Sequence, residues 1–538
     1  MNAPEFLDRA SAIAIGEEWL AASIAPCSAY GARDAQIRRR FLAGEEREAN
    51  AQAARIARIA ERFDLDAMEA VRATLARLPD IAPALARVDV GDSLEDAQAL
   101  ALLRFADGAI ELQSRLAECR DLPDCAGESV DRVRALFERG RVGSHAFYLH
   151  DSFDDALRAE RERFDEARAR FESARGRLER NVAESLGRGA RLDEEFIVMR
   201  EALVAPLPPG VRVVREAPTY LLCEVDLDEE TRVLLERREE AARRVALAED
   251  RVRASLAERV SKLRDGLVRT MMHLGEIDAA IAAALWTRRF ACRPAETSSE
   301  GGIEIVEGRW LPLQERLEIG GGAFVPSSLS WSGAAIVTGP NMGGKSVALR
   351  TVGFIALCAS MGLPVPAQRA RLALPPMIRW LGIGPDDESR GGLLSSFAGE
   401  AVRLRDAFAA LAPRALLLVD EFARTTTPRE SFAILVASLH AARERGAEVI
   451  AATHLAGVAA AAGARHFAVR GLRGIPTQSP GADIERLLAV LADCMDYRIE
   501  EVSEDRRESS DALALASLLG VDEEIVARAR AIVKTIAE

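Results

Sequence analysis

The sequence predicts an α/β domain in the second half of the chain and a mainly helical first half with two long arms. Three observations support this division. A glycine-rich loop lies between an apolar strand and an apolar helix near residue 340. Strand-like and helix-like segments alternate from about residue 303 to residue 475, which is typical of a mostly parallel sheet covered by helices. Before residue 290, two long charged segments carry apolar residues at the spacing of paired helices.

The composition is that of a helix-rich globular protein with several domains. Of the 538 residues, 49% are hydrophobic and 29% are charged. The net charge of −13 weighs weakly against a protein whose main task is to grip nucleic acid, although it does not exclude a local basic groove.

The sequence also indicates where the protein works. The seven Cys residues are scattered and form no C-x-x-C pair, so we expect reduced thiols. We expect no signal peptide at the start of the sequence. Glycines and prolines interrupt the longest apolar stretch, residues 352–367, so we expect no membrane span. These features predict a cytoplasmic protein without a membrane partner.

The first half predicts a helical core at residues 1–150 and paired helical arms at residues 151–290. Residues 150–188 combine a charged surface with an apolar residue at every seventh position, as in a coiled-coil seam. An ordinary amphipathic core helix is the alternative interpretation. The second arm is predicted from about residue 228 to residue 285. The seam residues of the first arm are Leu157, Phe164, Phe171 and Leu178.

Three further segments complete the predicted organisation. Short apolar runs within residues 195–226, separated by a turn rich in proline and glycine, predict a small β tip between the arms. A polar boundary near residues 295–302 precedes the α/β domain, which we place at residues 300–480. Residues 481–538 predict a helical tail, whose last helix Asp522 would cap.

The glycine-rich loop fits the phosphate-binding pattern G-x-x-x-x-G-K-[ST]. Such a loop wraps backbone N–H groups around phosphates at the start of a helix. Lys345 would reach the β and γ phosphates, and Ser346 would hold Mg²⁺. Only three of the 71 basic residues (Lys+Arg) are lysines, so a lysine here favours a functional loop over a chance glycine-rich turn. The loop reads Gly339, Pro340, Asn341, Met342, Gly343, Gly344, Lys345 and Ser346.

Two strand ends downstream supply the other residues that a phosphate site needs. Residues 415–419 predict a buried strand that ends in Asp420 and Glu421, as in a Walker B element. Asp420 would hold Mg²⁺ through water and Glu421 would polarise the attacking water, unless the acids end this strand by chance. The next strand, residues 449–453, ends at His454, which could sense the γ phosphate. The sequence therefore predicts an ATP and Mg²⁺ site with Glu421 and His454 as catalytic residues.

Taken together, these residues resemble the MutS family of ATPases. The similarity covers about residues 303–475, whereas the helical core and the arms resemble that family's core and clamp only in outline. The resemblance implies an ABC-like ATPase that works as a homodimer, with ATP sandwiched between the subunits. The similar segments are residues 306–312, residues 324–326, residues 338–346, Arg350 and residues 364–367.

The same resemblance implies a site element supplied by the partner subunit. Residues 395–400 are similar to the family's Ser-Thr-Phe stretch. The hydroxyl of Ser395 or of Ser396 would contact the γ phosphate bound by the neighbouring subunit, and the sequence does not decide between the two. A plain helix N-cap is the alternative for both residues.

The sequence also departs from the pattern of DNA-binding MutS proteins. We expect no mismatch-reading domain before the helical core and no nuclease-like domain after the ATPase domain. Residues 425–428, Thr-Thr-Thr-Pro, look closer to a MutS-like subgroup that serves adenosylcobalamin-dependent aminomutases. Residues 495–499 and 514–522 of the tail are also similar to that subgroup. This resemblance implies a reactivating factor that drives the exchange of damaged cobalamin for fresh cofactor.

Three hypotheses remain open at this point. The first is an ATP-driven enzyme that remodels a protein partner, with a cobalamin-dependent aminomutase as the first choice. The second is a protein that binds DNA structures and uses the arms as a clamp. The third is a structural role in which ATP only fixes the dimer, so that Glu421→Ala would leave function intact.

Overall fold

The chain forms two compact units in the computed structural model. We call them the α/β unit and the arm unit, and each is described by itself. The α/β unit comprises Met1–Ala76, Arg115–Pro123 and Leu274–Glu538, and the arm unit comprises Arg77–Ser114 and Asp124–His273. The structure describes residues 5–33, 39–117, 119–143, 146–187, 192, 195–202, 206–340, 343–382, 396–422, 426–472, 494–502, 513, 516–517 and 521–537.

Two long helices, α9 and α10, dominate the arm unit. Each begins at an aspartate N-cap: Asp154 accepts a hydrogen bond from the backbone N–H of Leu157 (2.9 Å), and Asp228 accepts one from Thr231 (2.8 Å). The two helices pack against each other, and Arg161 on α9 forms an ion pair of 2.7 Å with Glu249 on α10. The helices of this unit are α6 (Ala82–Asp89), α7 (Asp96–Arg115), α8 (Glu128–Phe137), α9 (Asp155–Ser185) and α10 (Glu229–Ser261).

A three-stranded antiparallel sheet lies between α9 and α10 in the chain, in the order β3-β5-β4. Its inner face buries Phe196, Val198 and Cys223 against Val182 near the end of α9. The opposite face leaves Ile197 and Met199 exposed. The strands are β3 (Glu195–Met199), β4 (Val211–Glu216) and β5 (Tyr220–Val225).

The helical regions differ from the prediction at two places. The second arm is two helices rather than one, because the chain turns at Lys262 and Leu263 before α11 (Arg264–Arg289) begins. The backbone N–H of Leu263 bonds to Val260 one turn back (2.9 Å), which ends α10. The predicted helical core also contains a short hairpin of β1 (Arg141–Val142) and β2 (Ala146–Phe147), which pair in antiparallel register.

The core of the α/β unit is a six-stranded sheet in the order β11-β12-β13-β9-β14-β15. The first five strands are parallel, and β9 and β13 are buried along their whole length, as expected for strands covered on both faces. These strands are β9 (Ala334–Thr338), β11 (Ile378–Leu381), β12 (Leu416–Asp420), β13 (Glu448–Ala452), β14 (Arg465–Leu472) and β15 (Met495–Glu501).

Strand β15 corrects the predicted helical tail at residues 481–538. It runs antiparallel to β14, with Ile499 opposite Val469. Pairing with β14 satisfies the backbone N–H and C=O groups of these residues through the antiparallel ladder. A helix is therefore not needed to satisfy them. The last helix, α17 (Glu523–Ala537), begins as expected, since the Asp522 carboxylate accepts the backbone N–H of Glu524 (2.9 Å).

The remaining elements of this unit surround the sheet. A second sheet has the strand order β6-β10-β7-β8 and is formed by β6 (Glu296–Thr297), β7 (Ile303–Gly308), β8 (Ser327–Trp331) and β10 (Arg369–Leu372). The helices are α1 (Arg9–Ile15), α2 (Glu17–Ser23), α3 (Ala29–Arg33), α4 (Glu46–Arg62), α5 (Leu65–Arg77), α12 (Leu311–Ile319), α13 (Lys345–Ser360), α14 (Ser396–Ala409), α15 (Pro428–Glu444) and α16 (Val458–Ala462).

The first helices belong to the α/β unit, which differs from the predicted helical core of residues 1–150. The backbone N–H of Ile378 in β11 donates to the carbonyl of Phe6 (2.9 Å). The Arg379 side chain donates to the carbonyls of Glu5 (2.6 Å) and Phe6 (3.0 Å). These long-range bonds fix the start of the chain against the edge strand of the six-stranded sheet. Among the described residues, no helix combines the length and the apolar character needed to cross a membrane.

Candidate functional site

The phosphate-loop sequence lies between β9 and α13, as the sequence predicts. Gly339 has φ = 139°, and a Cβ atom there would lie 2.9 Å from the Cβ of Val469, so only glycine fits without strain. Gly344 has φ = 90° and immediately precedes the first residue of α13. The backbone N–H of Gly343 donates to the carbonyl of Pro340 (3.0 Å). Asn341 and Met342 lie outside the described residues.

Lys345 is nearly buried at the start of α13, with 4% of its side chain exposed. Its ammonium donates to the carbonyls of Gly339 (2.9 Å) and Pro340 (3.1 Å), which lie in the loop itself. The same nitrogen lies 3.5 Å from Oε1 of Glu421. A buried ammonium requires such partners, because an unpaired charge is strongly destabilised away from water. The structure therefore brings together Lys345 and the acid proposed as the catalytic base.

Ser346 and Asp420 also meet at this edge of the sheet. The Ser346 hydroxyl donates to Oδ1 of Asp420, which ends β12, at 2.8 Å. Burial raises the pKa of Asp420, and this effect is opposed by the Ser346 hydrogen bond and by the positive charges of Arg350 and Lys345. A hydroxyl and a carboxylate are oxygen ligands that Mg²⁺ accepts in nucleotide sites, so Ser346 and Asp420 fit this ion.

Glu421 has a backbone conformation that the sequence does not reveal. Its φ is 48°, in the left-handed region that residues other than glycine rarely occupy. The backbone N–H of Glu421 donates to the carbonyl of Ala452 at the end of β13 (2.9 Å), which holds it there. Such a conformation costs about 1–3 kcal/mol and is concentrated at functional sites. Here it directs the residue after β12 toward the ammonium of Lys345.

His454 lies after β13 with an exposed side chain. In the part of the chain that the structure describes, it forms no hydrogen bond or ion pair with the loop or with Glu421. Its catalytic role therefore stays a prediction.

His466 and Tyr497 also lie beside the loop, although the sequence did not indicate a place for them in the site. The hydroxyl of buried Thr338, which directly precedes the loop, lies 2.8 Å from Nε2 of His466 on β14. A Cβ atom at Gly344 would lie 3.4 Å from the ring of Tyr497 on β15. Burial raises the pKa of the Tyr497 phenol. Both strands lie on the same side of β9, and the place of Tyr497 becomes apparent only when β15 is recognised as a strand.

The two candidate serines of the partner-supplied element remain predictions. Ser395 lies outside the described residues. Ser396 is the first residue of α14, and the position of its side chain also lies outside what the structure describes.

The Thr-Thr-Pro segment has a structural role at the start of α15. The hydroxyls of Thr426 and Thr427 donate to Oε2 of Glu430, at 2.7 and 2.8 Å. The Thr427 side chain accepts the backbone N–H of Glu430, and Pro428 occupies the first turn. Thr427 is therefore the N-cap of α15, and proline lies at a favoured position of the first turn. Residues 423–425 lie outside the described part of the chain.

Comparison with known proteins identifies similar sequences. Residues 335–537 match the family model described as MutS domain V. An "Endonuclease MutS2" of Thermus thermophilus is 32% identical over 293 residues, which cover 53% of this chain and 34% of that protein. An "Endonuclease MutS2" of Clostridium botulinum is 31% identical over 248 residues, 43% of this chain and 31% of the relative.

A third relative extends the similarity beyond the α/β unit. A "DNA mismatch repair protein MutS" of Granulibacter bethesdensis is 29% identical over 416 residues, which cover 71% of this chain and 43% of that protein. The chain thus spans less than half the length of each of these relatives. Residues 335–537 are therefore similar to MutS domain V, and the chain is similar to MutS and MutS2 proteins at about 30% identity.

Proposed function

We propose that this protein binds ATP with Mg²⁺ at the loop between β9 and α13 and hydrolyses it. The observation that carries this proposal is the convergence of Lys345, Ser346, Asp420 and Glu421 at one edge of the sheet. Backbone N–H groups of the loop and the start of α13 would bind the phosphates. Ser346 and Asp420 would hold Mg²⁺, which when bound supplies charge neutralisation for the phosphate oxygens.

The contacts of Lys345 suggest how binding and hydrolysis are linked. Its ammonium is occupied by two loop carbonyls and faces Glu421. A triphosphate would offer this ammonium stronger, charged partners. Glu421 would then lose its cation and be free to orient the attacking water and accept its proton.

Variants at these two residues test the ATPase proposal. Lys345→Ala should weaken ATP binding, because the loop loses its only buried cation among the described loop residues. Glu421→Ala should retain ATP and hydrolyse it slowly, since in-line attack loses the group that positions water. Unchanged hydrolysis in Glu421→Ala would show that another residue is the base. Unchanged cellular function with hydrolysis abolished would favour the structural role in which ATP only fixes the dimer.

We also infer a homodimer that closes on ATP and reopens on hydrolysis. The resemblance to the MutS family supports this, and Ser395 or Ser396 would complete the partner's site. Light scattering of the Glu421→Ala variant with and without MgATP tests the idea. A mass that remains that of a monomer in MgATP would contradict it.

For the partner, we propose a protein, with an adenosylcobalamin-dependent aminomutase as the first candidate. Helix α9 contains eight acidic residues and eight arginines, and so does α10, so neither arm helix has a net charge. The β tip exposes the apolar side chains of Ile197 and Met199. A neutral arm and an apolar tip suit a protein surface better than a phosphate backbone, which requires an excess of cations.

Reactivation of an inactivated aminomutase tests this partner directly. The enzyme is inactivated with a damaged cobalamin and then mixed with this protein, MgATP and fresh adenosylcobalamin. Recovery of activity with the unmodified protein, and none with Lys345→Ala, is the expected result. No recovery, with ATP hydrolysis intact, would remove the support for this partner.

The names of the relatives favour DNA as the second candidate partner. One relative is named a mismatch repair protein and two are named endonucleases. If the arms act as a DNA clamp, duplex, mismatched or branched DNA should stimulate ATP hydrolysis. Binding should also weaken steeply as salt rises. An ATPase rate that no DNA form changes would exclude the DNA-clamp hypothesis.

A further inference from the structure

Arg350 lies on α13, one turn after Ser346, between two tryptophan rings. Its ζ carbon is 4.9 Å from the ring centroid of Trp310 and 5.3 Å from that of Trp380. No described carboxylate lies within ion-pair distance of its guanidinium. Burial lowers the pKa of Arg350, and the negative charge of Asp420 opposes this effect. The two indoles therefore lie against a largely desolvated cation on the helix that carries Lys345 and Ser346.

Helix α1 holds both tryptophans. The indole N–H of Trp310 donates to the carbonyl of Ile15 at the end of α1 (2.8 Å). The backbone N–H of Trp380 donates to the hydroxyl of Ser11, which is buried on the same helix (2.8 Å). One short helix thus fixes the indole of Trp310 and the backbone of Trp380, the two residues that enclose Arg350.

A close contact also joins α1 to α13 itself. A Cβ atom at Gly353 would lie 2.6 Å from Cγ2 of Ile15 and 2.7 Å from Cδ1 of Leu418 on β12. Glycine lowers the stability of a helix interior relative to alanine, so a glycine here indicates that the close approach is required. Any side chain at residue 353 would push α1 away from α13 and β12.

The face of α13 that carries Arg350 is also the face that contacts Asp420. Residues four apart on a helix share a face, and Ser346 on that face is hydrogen-bonded to Asp420. On the strand side, a Cβ atom at Gly382 would lie 3.0 Å from both the Asp420 Cβ and the Trp380 indole nitrogen. Trp380 and Asp420 are therefore neighbours.

We propose that helix α1 fixes the position of α13 against β12, through Ile15 at Gly353 and through the tryptophans beside Arg350, and that it thereby positions Ser346 and Asp420 for Mg²⁺. This inference rests on the proposed ATP and Mg²⁺ site. It assigns the N-terminal helix a role in nucleotide binding, although no residue of α1 belongs to the phosphate loop. Because energetic coupling between sites is reciprocal, Mg²⁺-nucleotide binding must also stabilise the packing of α1.

Two variants perturb this arrangement without changing the charge of the site. Arg350→Lys keeps the positive charge but loses the planar group that stacks between the indoles. Gly353→Ala displaces Ile15 and leaves the loop sequence intact. The matched control is Ile13→Ala, which truncates an exposed side chain on α1 itself. Circular dichroism and thermal melting show whether each variant is folded.

The measurement is the binding of the fluorescent nucleotide mant-ADP as Mg²⁺ is titrated, with EDTA as the metal-free reference. Loss of a residue that orients a metal ligand typically lowers metal affinity 10–100-fold. We expect Arg350→Lys and Gly353→Ala to need about 10-fold more Mg²⁺ for half-maximal binding, with binding in EDTA and the control unchanged. An unchanged Mg²⁺ requirement in both folded variants overturns the proposal, as does an equal loss of binding with and without Mg²⁺.

Hydrogen exchange gives a second readout that does not depend on activity. Mg²⁺ and mant-ADP should slow amide exchange in α1 of the unmodified protein and have a smaller effect in Arg350→Lys. An amide exchange rate in α1 that does not change when Mg²⁺ and mant-ADP are added would refute the coupling between α1 and the nucleotide site. If the unmodified protein binds no Mg²⁺-nucleotide at all, the proposed function fails. If it binds normally but α1 has no influence on binding, only the present inference fails.

Discussion

Replacing Glu421 with glutamine separates ATP binding from hydrolysis more cleanly than any other change in this site. Glutamine keeps the side-chain length and an oxygen that can accept a hydrogen bond from Lys345, now 3.5 Å away. The backbone at residue 421 is in the left-handed region whatever the charge of the side chain, so its strain should not change. Glutamine cannot accept a proton from water, so the substitution removes the proposed base alone.

The expected magnitudes follow from these contacts. Loss of a general base lowers the hydrolysis rate by about 10²–10⁴-fold, which corresponds to about 3–5 kcal/mol in the barrier. ATP affinity should stay equal or rise. Glu421 competes with the phosphates for the Lys345 ammonium, and its negative charge repels them. The variant should therefore accumulate ATP on the protein.

Single-turnover hydrolysis of labelled ATP and equilibrium binding measure the two effects separately. The matched control is Glu444→Gln on α15, an exposed side chain that should leave both quantities within about twofold. Hydrolysis by Glu421→Gln within threefold of the unmodified protein would refute Glu421 as the base. A large loss of ATP affinity would instead show that Glu421 holds the loop together.

Three further predictions follow from other contacts. Lys345→Ala should raise the ATP dissociation constant about 10–100-fold, because a hydrogen bond to a charged group contributes about 1.5–3 kcal/mol. Equilibrium dialysis measures this constant, and an unchanged affinity would contradict the prediction. Asp278→Ala should lower the free energy of unfolding by at least about 3 kcal/mol, because its fully buried carboxylate accepts hydrogen bonds from four donors before α3: the backbone N–H groups of Cys27 and Ser28, the Cys27 thiol and the Ser28 hydroxyl. Urea unfolding measures this, with Glu276→Gln, a half-exposed ion-pair residue on the same helix, as the control. Equal losses of stability in the two variants would contradict the prediction. Burial together with Asp278 raises the pKa of Cys27 to about 11, and burial raises that of Cys125 to about 12. Thiolate is the reactive form, so alkylation of these two residues in the folded protein should be very slow at pH 8 and accelerate about tenfold per pH unit; rapid labelling at pH 7 would contradict these pKa directions.

The features of the site that the sequence revealed are those encoded in short segments. The strand, loop and helix around residues 333–363 follow from apolar runs and glycines alone. That Ser346 and Asp420 lie at the same edge of the sheet follows from the rule that parallel strands end at one edge. Both depend on local pattern and on one general property of parallel sheets.

The features that the sequence did not reveal depend on contacts between distant segments. Strand β15 pairs with β14 across about thirty residues, and its charged composition did not suggest a sheet edge. The place of α1 in the α/β unit depends on hydrogen bonds such as that between Ser11 and Trp380, which are 369 residues apart. The left-handed backbone of Glu421 is accompanied by a hydrogen bond to the end of β13. Local propensity carries no information about any of these.

The interleaved charges of α9 and α10 have a consequence for the rate at which a partner is found. Each of the arm helices has as many arginines as acids, placed within a turn of one another, so their fields cancel beyond about 10 Å. Such arms neither attract nor repel a charged molecule from a distance. A partner that docks on them should therefore associate at a rate that hardly changes with ionic strength, near the about 10⁵–10⁶ M⁻¹s⁻¹ typical of encounters without electrostatic steering.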